Sequence, residues 1–162
     1  MGLLSFLGRV LTKDLSGRTW TRESSHPYFP KLVYFGSKQQ DESYWEAELP
    51  MPGTGEGRVS ATMKGTVEGP TEQEVQFCKS VVADPDALFE KCREAFALEF
   101  AKWSKRPWPA KWREAFALDG LEIPPNGDPS ASWNVCYFVE PAGHHFTAEF
   151  SGGKVQRVAV DG

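Results

Sequence analysis

The run WNVCYFVEPAGHHFTAEFSGGKVQRVAV, residues 133–160, alternates apolar and polar positions with period two. Trp133, Val135, Tyr137 and Val139 share one face, with Asn134, Cys136, Phe138 and Glu140 opposite. Pro141-Ala142-Gly143 turns the chain, after which His144, Phe146, Ala148 and Phe150 alternate with His145, Thr147 and Glu149. Gly152-Gly153 turns it again into Lys154 to Val160. Alternation marks strands with one buried face, and the turn residues between them mark hairpins.

The same period appears upstream. Arg58 to Glu68 puts Val59, Ala61, Met63, Gly65 and Val67 on one side, which predicts an antiparallel strand with one wet face. Lys31 to Phe35 and Ser43 to Leu49 read as two further strands, the second setting Trp45, Ala47 and Leu49 against Tyr44, Glu46 and Glu48. Between the two sheet regions the period changes. Thr71-Glu72-Gln73-Glu74 is a capping box that starts one helix, and Asp84-Pro85 offers an N-cap and a Pro at N1 for a second. Leu88, Cys92, Phe96, Phe100 and Trp103 then recur at helical spacing up to about Ser104.

These elements predict an α+β fold: an antiparallel sheet built from N-terminal and C-terminal strand meanders, with two central helices packed on one face. We expect a single domain over 1–162. It comprises an amphipathic arm (1–15), a strand meander (19–69), the helices (71–104), a Trp/Pro-rich connector (105–132) and a second meander (133–162). The arm would lay Leu3, Leu4, Phe6, Leu7 and Leu11 on the body. Gly2 invites N-myristoylation, but Phe6 occupies the position where that pattern wants Ser or Thr. Arg93-Glu-Ala-Phe-Ala-Leu-Glu99 recurs as Arg113-Glu-Ala-Phe-Ala-Leu-Asp119, and the second copy can form only a short helix or pass into a strand.

With 162 residues, 40% of them hydrophobic, and a net charge of -4, the chain is sized for one globular domain and is not disordered. Three cysteines, Cys78, Cys92 and Cys136, make no CxxC and no zinc spacing, so neither a disulfide framework nor a metal site is expected. No uncharged apolar run approaches the about 18 to 20 residues of a membrane span. Arg9 breaks the apolar start, so we read no export signal and expect a soluble, cytoplasmic protein without stable membrane insertion. No residue pattern calls for a cofactor.

Several groups could carry function. Residues 102–113, KWSKRPWPAKWR, interleave Lys102, Lys105, Arg106, Lys111 and Arg113 with Trp103, Trp108 and Trp112. Phosphate neutralisation and base stacking use that mixture. An acidic domain repels polyanions, so nucleic acid is not an expected partner, and the three Trp residues either close the core or form a contact surface. Glu46 and Glu48 project from one strand face about 7 Å apart, near the spacing of paired catalytic carboxylates but equally that of solvating charges. His144 and His145 point to opposite strand faces, so they cannot readily grip one ion, and the second should share its face with Glu149. Cys136 beside a histidine and an acid could form a thiol nucleophile.

Three segments carry a resemblance: His26-Pro-Tyr-Phe-Pro-Lys-Leu-Val-Tyr-Phe-Gly36, Tyr44-Trp-Glu-Ala-Glu48, and the ending from His145 to Gly162. Together they resemble a family of small bacterial domains of unknown function that is similar to toxin-immunity proteins. Pro30 stands where that pattern has Gly. The resemblance implies a non-catalytic protein-binding module that occludes a cognate bacterial toxin, with a protein partner and no catalytic residues to carry over. On this reading the candidate contact residues are Trp103, Trp108, Trp112, Lys105, Arg106, Glu46, Glu48 and His145. The alternative is a small enzyme or ligand-binding protein with a pocket near His144, His145 and Cys136. Oligomeric state stays open.

Overall fold

A computed structural model describes residues 19–161; the amphipathic arm expected over 1–15 lies outside them. Eight strands form one sheet in chain order: β1 (Thr19–Ser24), β2 (Lys31–Ser37), β3 (Tyr44–Pro52), β4 (Arg58–Lys64), β5 (Phe116–Glu122), β6 (Trp133–Val139), β7 (His144–Ser151) and β8 (Lys154–Asp161). Helices α1 (Glu72–Ala83) and α2 (Pro85–Trp103) fall between β4 and β5.

All neighbouring strands are antiparallel except β4 and β5, which run parallel. The exception follows from the chain path, because a helical crossover returns the chain to the same end of the sheet. The expected sheet is therefore largely antiparallel with one parallel join at its centre. The N-terminal meander has four strands, and the fourth stops at Lys64, four residues before the alternation does. Past that point the chain leaves the ladder, and Trp45 Nε1 donates to the Thr66 carbonyl at 2.8 Å.

Both helices start as their caps predict. The Thr71 hydroxyl accepts from Glu74 N while the Glu74 carboxylate accepts from Thr71 N, and Asp84 accepts from Ala87 N. Their apolar stripes lie on one face of the sheet, which we call the inner face. Phe89, Phe96 and Phe100 of α2 meet Phe116, Tyr137 and Phe146 of the strands at centroid separations of 5.1 to 5.9 Å. Each fully buried ring contributes about 1.5 to 3 kcal/mol, so this cluster dominates the core.

The connector 105–132 contains the strand β5, one of the two outcomes expected for the second REAFAL copy. The second REAFAL copy enters it through a short 3-10 turn at Trp112–Glu114. Register across β5 and β6 slips between Leu118 and Gly120, so Asp119 is the extra residue of a β-bulge and Leu118 through Leu121 are all buried. No described helix is long and apolar enough to cross a membrane.

Candidate functional site

No described element covers the outer face of the sheet. Its rows follow from the registers. One runs Val33, Glu46, Thr62, Glu122, Asn134, Glu149, Arg157, and the next Lys31, Glu48, Ser60, Gly120, Cys136, Thr147, Ala159. The five central strands β3 to β7 thus carry Glu46, Glu48, Asp119, Glu122 and Glu149 there. The cations of this face, Lys31, Arg58, Lys64, Lys154 and Arg157, stand at strand ends or on the edge strand β8. Most of the central side chains are half-buried, because each lies across its neighbours on the pleated surface.

Partial burial has electrostatic consequences. Burial raises the Glu46 carboxyl above its ordinary value, Lys31 opposes the shift, and Glu48 two residues on adds to it. Tyr44 stacks on Phe35 at 4.9 Å, and burial, with Glu46 nearby, pushes its hydroxyl up to about 12. Glu149 accepts two bonds from Arg157 at 2.6 and 3.1 Å, and Glu122 accepts from Asn134 Nδ2 at 2.8 Å. Asp119 is buried, and His145 Nε2 stands 3.3 Å from its Oδ2.

The residues singled out in the sequence separate into three places. Glu46 and Glu48 on β3 share the outer face with Cys136 on β6 and His145 on β7, three and four strands away. Trp103, Lys105 and Arg106 lie at the C-terminal end of α2, where Trp103 is 46% exposed and meets His144 edge-on at 4.9 Å. Lys105 takes a left-handed conformation there, with φ 54, in the position that ends many helices. Trp108, partly buried, and Trp112, buried, pack against the core, so of the three indoles Trp103 is the one that stands exposed. Trp112 stacks on Phe89 at 4.6 Å and donates to Asp86, while Trp108 packs on Phe100 and Phe116 at 5.3 and 5.4 Å. Two short-range prolines, Pro107 and Pro109, bend the chain back so that both indoles cover the start of β5.

The pocket expected near His144, His145 and Cys136 is not assembled, because His144 faces the helices and the other two face outward. Burial holds the Cys136 thiol up near 12, Thr147 opposes the shift by hydrogen bonding, and Asp119 and Asp161 add to it. A thiol so held is not a nucleophile near neutral pH. Among the described residues no group of three or more His, Cys, Asp or Glu is placed to hold a metal ion. An open groove of about 520 Å3 lies elsewhere, between α1 and the turn at Pro125–Gly127, lined in part by Gln73, Phe77, Lys91 and Asn126.

The residues that sequence reasoning missed are Asp119 and Glu122, both on β5. Their signal was the short alternation Gly120, Leu121, Glu122, set out of phase with Phe116 and Leu118 by the bulge. Neither a family model, nor a curated protein, nor a solved structure matches the chain.

Proposed function

We propose that the chain is a non-catalytic protein-binding module, acting in the cytoplasm in the manner of an immunity protein, and that the outer sheet face is the surface that occludes its partner. The observation that supports this is the acidic centre of that face: among the described residues nothing covers one broad side of the eight-stranded sheet, and its central rows carry carboxylates among half-buried aromatic rings. A basic protein surface is complementary to it, in charge for approach and in apolar area for retention. In the Trp103 region Lys102 is already paired with Glu99 at 2.6 Å.

Capture of a stoichiometric partner from a bacterial lysate, repeated with Glu46→Lys/Glu48→Lys, tests the reading. We expect the double variant to fold and to lose the partner, whereas Lys105→Ala/Arg106→Ala retains it. Retention by the first variant and loss by the second would move the contact surface to the end of α2.

A further inference from the structure

We infer that Asp119, in the bulge of β5, is an anchoring subsite for an arginine side chain of the protein partner, with His145 covering it in the free protein. The inference rests on the outer face being the contact surface. The bulge brings a carboxylate to a position where the pleat provides no exposed slot, and only 6% of the Asp119 side chain meets solvent. Removing a carboxylate from water is costly unless hydrogen bonds and an opposite charge replace the hydration. Here the replacement is incomplete: Oδ2 is fully shielded yet accepts no hydrogen bond, and the His145 ring at 3.3 Å is in ion-pair range without the alignment of a bond.

The other carboxylates of the face are better served, Glu149 by Arg157, Glu122 by Asn134 and Glu46 by the charge of Lys31. Asp119 instead has a second acid in its vicinity. Asp161 lies opposite His145 on β8, and the charges of both carboxylates raise the Cys136 thiol. Among the described residues His145 is the one ion-pair partner of Asp119, so this corner of the face is short of positive charge. A partner's cation would supply it once the His145 imidazole, 27% exposed, rotates aside. The wall of the corner is aromatic, Phe138 lying 5.2 Å from the His145 ring. A guanidinium is planar, stacks on such rings and gives up water more readily than an ammonium, which selects arginine over lysine.

A blocked Gly-Arg-Gly peptide, with its neutral citrulline counterpart as control, is titrated into 15N-labelled protein. The expected result is saturable shifts of the amides of residues 118–120 and 145 with the arginine peptide alone. Binding should weaken about tenfold in Asp119→Asn and strengthen in His145→Ala, since the first removes the anion and the second its competitor. A merely structural Asp-His contact would give no peptide-dependent shift in either variant. Shifts spread along Glu46 and Glu122 that survive Asp119→Asn would overturn the subsite while leaving the contact face standing. No shift with either peptide would overturn the subsite too, and loss of the contact face itself would be read in the Glu46→Lys/Glu48→Lys capture.

Discussion

Cys78, Cys92 and Cys136 are all buried, and burial pushes each thiol up to about 12. They should therefore resist an aromatic disulfide reagent at pH 8 in the native protein and all react once urea unfolds it. The same shifts set an alkaline limit. Unfolded thiols ionise near 9.0 and the folded ones near 12, so their stabilising contribution is complete below pH 9 and is lost as pH rises toward 12. Denaturation midpoints should be flat between pH 7 and 8.5 and fall above 9. Gly127 makes a different demand: its φ is +66, and a Cβ there would run into the Gln73 carbonyl. Gly127→Ala should cost about 1 to 3 kcal/mol in urea denaturation. Residue roles were unevenly legible. Alternation alone placed Glu46, Glu48 and His145 on one kind of face, because strand geometry fixes side-chain direction. It could not separate Trp108 and Trp112 from Trp103, since whether an indole meets Phe89 or solvent depends on contacts distant in sequence.

Arg93–Glu99 lies inside α2, while the near-identical Arg113–Asp119 passes through a 3-10 turn into β5. Nothing in the seven residues distinguishes helix from strand, so the neighbours decide. The first copy follows a capped helix start at Asp84 and Pro85, and the second follows Pro107 and Pro109 and can pair with both β4 and β6. Long-range pairing overrides local helix propensity, which is why the second copy stayed open between short helix and strand while the capped helices and the C-terminal hairpins were plain. The caps can be weighed directly. Thr71→Ala removes the hydroxyl that satisfies Glu74 N and should cost about 1 kcal/mol, read as a lower urea midpoint with an unchanged slope.

At the scale of the whole molecule, α1 and α2 lie on one side of the sheet, and their crossover makes β4 and β5 parallel. The two meanders were legible as separate sets of strands. Their union into one sheet was expected too, but the parallel join at its centre was not, because it depends on β5 entering between β4 and β6. That union creates the outer face, where Glu46 and Glu48 from one meander share rows with Glu149 and Cys136 from the other. Carboxyl footprinting with a carbodiimide and glycine ethyl ester, with and without the captured partner, tests this face most directly. The account predicts that Glu46, Glu48, Glu122 and Glu149 lose labelling in the complex while Glu90 and Glu94 on the solvent side of α2 keep it. Protection of Glu90 and Glu94 with the four sheet carboxylates still labelled would contradict it.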